Sequence, residues 1–122
     1  MSLARPVRMA GRSKYSAQPT VVDGIRFASK REAQRYGELK VLEKAGQIHS
    51  LRLQPSFALD VIGGFVKDVR INLGVYKADF DYFDLKADTR VIEDVKGMAT
   101  PLYKWKKRHV EAQYGVKIRE VK

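Results

Sequence analysis

Apolar positions along the chain change period several times, and each change marks an element. Thr20-Val21-Val22 and Ile25-Arg26-Phe27 flank Asp23-Gly24, the pattern of a small hairpin with a two-residue turn. Ser29-Lys30-Arg31-Glu32 has the spacing of a capping box. Tyr36, Leu39 and Leu42 then recur at helical spacing and predict a helix to about Ala45, closed by Gly46 with Ile48 beyond it. Leu51–Gln54 and Phe57–Ile62 alternate as one strand interrupted at Pro55. Gly63-Gly64 turns the chain, and 65–73 reads as a further strand. Residues 75–83 and 90–96 read as two strands carrying acids, joined by a polar turn over Asp84–Thr89. Thr100 and Pro101 open a second helix as N-cap and first helical residue. Leu102, Trp105, His109 and Ala112 share one face of it, with Trp105 assigned to the core. Gly115 ends the helix, and residues 116–121 alternate as a last strand. A strand–helix–strand unit implies a parallel crossover. The fold expected is therefore α/β: helix, three or four strands, helix, strand, with a mixed central sheet flanked by helices.

Charge sharpens this outline. The 122 residues carry 24 Lys and Arg against 14 Asp and Glu, a formal net charge of +10. Residues 1–40 hold nine bases and three acids, residues 101–122 seven and two, and residues 41–100 eight and nine. Bases thus gather at the ends and acids in the middle, which favours a polyanionic partner. Residues 1–20, with Arg5, Arg8, Arg12 and Lys14 among Ser, Gly, Pro and Ala, read as a basic arm ahead of a single domain over 21–122. Such an arm either lies along a DNA backbone or is a solvated tail. The absence of cysteine excludes disulfides and thiolate metal sites. No apolar run approaches the roughly 20 residues of a membrane span, and the N-terminus has no signal-peptide core, so a soluble intracellular protein is expected.

The segment Val91-Ile92-Glu93-Asp94-Val95-Lys96-Gly97 carries the candidate chemistry. On a strand, Asp94 and Lys96 point to one face, and Val91, Glu93 and Val95 to the other. Upstream, Asp79 shares a face with Lys77 and Asp81, while Tyr76, Ala78, Phe80 and Tyr82 form an apolar one. Carboxylates converging at one point bind Mg²⁺ or Mn²⁺, hard cations that prefer oxygen. Such a cation polarises a phosphate and acidifies a bound water, and a neighbouring lysine offsets the charge that develops. Gly97 lets a phosphate approach the backbone. The plain alternative is a same-face surface pair of Asp94 and Lys96 on a solvated strand. Asp81 and Glu93 can substitute for Asp79 and Asp94, but Glu93 shares its face with Val91 and Val95, away from Lys96. Glu32 either closes its capping box or, sharing a face with Tyr36 and Leu39, points toward the sheet. Gln54 touches the site or is surface. Arg12, Lys14, Lys30, Lys104, Lys107 and Arg108 are candidate DNA contacts. His49 and His109 are isolated and lack metal-ligand spacing.

Asp79 with Asp94-Val95-Lys96 resembles the core of the PD-(D/E)XK nuclease superfamily. A wider ordered set resembles a small phage-associated family within it, over residues 14–121: Lys14-Tyr15, Asp23-Gly24-Ile25-Arg26-Phe27, Ser29-Lys30-Arg31-Glu32-Ala33, Leu53-Gln54-Pro55, Tyr76-Lys77-Ala78-Asp79-Phe80 and Glu93-Asp94-Val95-Lys96-Gly97. No proline precedes Asp79, a departure the superfamily tolerates. The resemblance implies a restriction-endonuclease-like core and a Mg²⁺- or Mn²⁺-dependent DNA endonuclease of phage or prophage origin, acting in the bacterial cytoplasm. It further implies a junction-resolvase-like activity on branched or duplex DNA. Glu32, Asp79, Asp94 and the main-chain carbonyl of Val95 would then hold the metal, with Lys96 assisting the attacking water or stabilising the transition state. Two matched cuts at a junction imply a homodimer, with an interface expected around the 57–73 strands. Two other readings stand beside this one: a non-catalytic DNA-binding protein whose acids are structural, and an RNase-H-like nuclease, which needs more acids and no lysine.

Overall fold

Turn chemistry sets the first element pair. In the computed structural model, which describes residues 18–63 and 68–122, strands β1 (Thr20–Val22) and β2 (Ile25–Phe27) pair antiparallel with Val22 opposite Ile25. Asp23 and Gly24 both have positive φ, 53° and 75°, as a two-residue hairpin loop requires. Helix α1 (Lys30–Lys44) follows, and the Glu32 N–H donates to Ser29 Oγ at 3.1 Å, one arm of the predicted capping box. Gly46, at φ 75°, ends it, and the Gln47 N–H reaches back to the Leu42 carbonyl. The chain divides into two compact units, Met1–Gln34 and Arg35–Lys122, and the division falls inside α1.

The second unit is built on a mixed sheet. Strand β3 (Ile48–Leu53) leads through Gln54-Pro55 to β4 (Ser56–Ile62); β5 (Arg70–Lys77) leads through Ala78-Asp79 to β6 (Phe80–Asp84); then come β7 (Thr89–Val95), helix α2 (Pro101–Tyr114) and β8 (Ile118–Val121). The four-stranded sheet has the order β3-β6-β7-β8, antiparallel except for the parallel β7–β8 pair. The β7–α2–β8 unit is thus the expected parallel crossover. Strands β4 and β5 form a separate antiparallel pair. The architecture is α/β, with two helices and mostly antiparallel strand pairing among the described residues.

The continuous strand read over 75–83 needs correction, and the interruption read at Pro55 is a change of sheet. Residues 51–62 and 75–83 are not single strands: each crosses from one sheet to the other, at Gln54-Pro55 and at Ala78-Asp79. The two crossings run side by side, with the Gln54 N–H bonded to the Asp79 carbonyl at 2.9 Å and the Ala78 N–H to the Pro55 carbonyl at 3.1 Å. Pro55 has no N–H to continue a ladder, and Gln54 has φ 50°, so the alternation of apolar letters runs on through a break that the backbone makes. The strand read over 65–73 begins at Arg70, and residues 64–67 lie outside the described residues.

The core of this unit joins the β4–β5 pair to β7, β8 and α2 through Phe57, Leu59, Tyr76, Ala78, Ile92, Tyr103, Val110 and Ile118. Here α2 departs from its predicted face. Thr100 Oγ1 caps the Tyr103 N–H and Pro101 is first, as expected. The buried positions, however, are Tyr103 and Val110, while Leu102 and Trp105 are 65% and 73% exposed. The buried stripe is rotated by about a third of a turn. An apolar count gives Leu102 and Trp105 full weight and treats Tyr103 as polar. The packed helix instead buries the Tyr103 ring and lets its hydroxyl reach Glu120 at 3.0 Å.

Candidate active site

β7 is the central strand of the site, and both of its faces are covered. Val91, Ile92, Glu93 and Asp94 are all buried, so a strand with two acids needs a set of partners on each side. Asp94 faces tyrosines. The Tyr76 hydroxyl donates to Asp94 Oδ2, and the Lys96 ammonium lies 3.2 Å from Asp94 Oδ1. Lys96 Nζ also stands 4.3 Å from the centre of the Tyr103 ring, a cation–π seat that fixes an otherwise mobile side chain. Burial and the hydrogen bond to Asp94 push the Tyr76 hydroxyl well above the ordinary phenol range, so it remains a donor. Burial, with Glu120 accepting, does the same to Tyr103.

Asp79 reaches the same segment from the sheet crossing. β6 starts only at Phe80, opposite Glu93, so β7 runs past the end of its partner. Asp79 Oδ2 accepts the Val95 N–H at 2.6 Å, and the Asp79 N–H bonds the Glu93 carbonyl at 3.0 Å. The carboxylate of Asp79 is therefore laid against Asp94-Val95-Lys96, and the Lys96 N–H is held in turn by the Val121 carbonyl at 2.9 Å. A cleft of about 220 Å³ opens beside this cluster, lined by Tyr76, Lys77, Lys96, Thr100, Leu102, Tyr103 and Lys106. A larger cleft of about 550 Å³, around Asp60, His109 and Gln113, contains none of these residues. A Cβ at Gly97 would meet nothing within 4 Å, so the chain's own packing does not require this glycine.

Glu93 lies on the other face, as the strand alternation predicts. It is fully buried and accepts from Arg35 Nε and Nη2 at 2.8 and 2.6 Å and from the Tyr82 hydroxyl, with Arg119 at 3.7 Å. The Glu93 hydrogen bonds raise the Arg35 guanidinium above its usual range. Asp81, read as an understudy for Asp79, is buried too. Arg90 clamps it from two nitrogens at 2.9 Å each, and Arg52 adds a third contact. Burial pushes the Asp81 carboxyl up, but the two guanidiniums outweigh burial and hold it below the ordinary value. Both acids are locked into ion pairs and neither lines the Lys96 cleft; Glu93 is on the face of β7 opposite Asp94, whereas Asp81, paired across from Ile92, is on the same face of the sheet as Asp94.

Arg12 and Lys14 lie outside the described residues. Glu32 and Lys30 belong to the first unit. Gln54 is exposed and meets Asp79 through backbone alone. Lys104 and Arg108 are exposed on α2, and Lys107 bonds Glu120 at 3.0 Å. Of the acids read as metal ligands, Asp79 and Asp94 meet at one segment of β7, and no group of three or more His, Asp or Glu side chains that could hold a metal ion is gathered among the described residues. Sequence reading missed Tyr76, Tyr103 and Arg35 as partners. The available signal was chemical: an acid inside an apolar strand implies a donor nearby, and a buried tyrosine implies an acceptor.

With this geometry in view, comparison with known proteins gives one finding. A family model described as "Protein of unknown function (DUF1064)" matches residues 12–122. The chain belongs to this family. The DUF1064 match runs through both units and spans every candidate residue named above. No curated protein and no solved structure matches the DUF1064 chain. No helix among the described residues is long and apolar enough to cross a membrane.

Proposed function

We propose that the protein is a metal-dependent DNA endonuclease with a PD-(D/E)XK-like, restriction-endonuclease-like core, as its phage-associated resemblance implies. The observation that carries the reading is the Asp79 carboxylate bonded to the Val95 N–H within Asp94-Val95-Lys96. Asp79 is thereby brought against Asp94-Val95-Lys96, and Lys96 lines a cleft that also holds Lys77 and Lys106. The proposal uses residues of the second unit alone.

The donor set is chemically suited to Mg²⁺ or Mn²⁺, since two carboxylates and a main-chain carbonyl are hard oxygens and Mg²⁺ retains several waters. Asp79, Asp94 and the Val95 carbonyl would hold it, and the bound cation would supply Lewis acidity toward a phosphate and a more acidic water. The protein's own residues do the positioning. Tyr76 orients Asp94 by donating to one oxygen. The Asp94 carboxylate and the Tyr103 face together hold Lys96 as a cation at the cleft, where it offsets charge growing on a phosphoryl oxygen. Lys77 and Lys106 add positive charge at the cleft for the flanking backbone.

A second reading has its own observation. Asp79, Asp94, Glu93 and Asp81 each already have a protein partner, as expected of structural acids in a non-catalytic DNA-binding protein. A cleavage panel of duplex, flap, bubble and four-way-junction DNA with Mg²⁺ or Mn²⁺ separates the two. Asp94→Asn and Lys96→Ala are expected to lose on the order of 10²–10³ in rate while still folding. Full turnover in either variant would remove that residue from the chemistry, whereas DNA binding with no cleavage of any substrate by the wild type favours the non-catalytic reading.

A further inference from the structure

The outer face of α2 carries an unexplained apolar group. Trp105, the single tryptophan of the chain, is 73% exposed, Leu102 is 65% exposed and Met98 60%. Exposing a large indole costs hydrophobic stabilisation that burial would recover. Helical geometry places Trp105 between Leu102, which lines the Lys96 cleft, and the exposed Arg108, with Lys104 next to Arg108 on the following turn. Within α2, Lys104, Lys106, Lys107 and Arg108 face a single acid, Glu111. An indole flanked by a basic stripe, at the rim of a cleft lined by lysines, has two complementary halves: cations for a phosphate backbone and a π-face for a ring.

We infer that Trp105 is a stacking platform for an unpaired DNA base, with Lys104 and Arg108 holding the adjacent phosphates. The charge beside the indole decides the occupant: an apolar protein partner would gain little from the exposed Lys104 and Arg108 on the neighbouring stripe, whereas a single-stranded stretch uses both halves. Bases paired in a duplex are already stacked, so the platform selects DNA with unpaired bases, such as a flap or a bubble. This inference rests on the nuclease reading only for where the DNA runs, not for any catalytic step.

The test needs no metal, so it stays informative if cleavage fails. In EDTA, the wild-type full chain is titrated with oligo-dT, with blunt duplex and with a four-way junction, and binding is followed by anisotropy of the labelled DNA. Tryptophan fluorescence is read in parallel, excited at the red edge where tyrosine does not absorb, so that it reports Trp105, the single tryptophan. The expected result is strong quenching with oligo-dT and weak quenching with duplex. Trp105→Ala should weaken oligo-dT binding by between about five- and a hundredfold while changing duplex binding little. Trp105→Phe, which keeps an aromatic face, should retain most of the affinity. Binding of oligo-dT without quenching, no binding at all, or equal affinity in Trp105→Ala would overturn the inference. Self-association by sedimentation that Trp105→Ala abolishes, with no quenching by DNA, would overturn it in favour of a second copy on this face.

Discussion

Breaking the Arg35–Glu93 pair isolates what the two neighbouring acids of β7 do. Arg35 reaches fully buried Glu93 through two hydrogen bonds of 2.8 and 2.6 Å, and its own side chain is 17% exposed. Arg35→Met keeps much of the stem volume and leaves the carboxylate with the Tyr82 hydroxyl and with Arg119 at 3.7 Å. Removing one partner of a buried pair costs about 3–5 kcal/mol, because the other charge is left uncompensated. The remaining donors place the expected loss near the lower end, about 3 kcal/mol. In a chain of this size that lowers the melting temperature by roughly 10 °C. The double variant Arg35→Met/Glu93→Leu removes both charges and should recover most of the loss, since hydrophobic replacement of a buried pair is often nearly neutral. Urea unfolding of the wild type, the two single variants and the double variant gives the coupling energy directly. A cost below about 1 kcal/mol for Arg35→Met, or a double variant no better than the singles, would refute the argument that Glu93 is a structural acid held by Arg35. The experiment also bears on the site: a folded double variant that still cuts DNA leaves Asp94, not Glu93, as the acid the chemistry uses.

Two other predictions follow from charge. The Asp81 carboxyl titrates below its ordinary value of 3.8 when folded, so its pairing with Arg90 and Arg52 stabilises fully above about pH 4 and is lost as pH falls through the lower folded value. Wild-type melting temperature should drop between pH 5 and pH 3 more steeply than that of Asp81→Asn; parallel slopes would show that Asp81 is not among the groups responsible. DNA affinity measured without metal should fall steeply between 50 and 200 mM salt, as expected when several phosphates release counterions, and a flat profile would assign the basic ends of the chain to ordinary solvated surface.

Local chemistry was legible in the sequence wherever one residue dictates the backbone. Asp23-Gly24 fixed a hairpin through two positive φ values, Ser29 and Thr100 capped their helices, and Gly46 ended the first. The alternation of β7 separated Glu93 from Asp94 correctly. The break at Pro55 was legible, but not that the chain changes sheet there and at Ala78-Asp79, because the apolar period of two continues through both. That period reports which side of a strand is buried, not which sheet the strand belongs to. The face of α2 failed for a related reason: the buried position Tyr103 is amphipathic, and its hydroxyl partner on β8 is 17 residues away. Of the candidate site, the Asp79, Asp94 and Lys96 neighbourhood was anticipated, whereas its tyrosine frame required the tertiary structure.

The paired crossings also determine where this chain tolerates a change of length. Removing Ala78 would draw Asp79 back by one residue, turning its carboxylate to the opposite side and stripping the Val95 N–H of its acceptor. The same shift at Gln54 would pull the facing crossing out of step. By contrast, the turn over Leu85–Asp88 is exposed and is organised by the Asp84 carboxylate accepting the Lys86 and Ala87 N–H groups, so a longer loop there leaves the β6–β7 register intact. Relatives that vary in size should therefore carry insertions at the Asp84 turn while keeping the spacing from Gln54 to Pro55 and from Tyr76 to Phe80, and fusion or labelling tags belong at that turn.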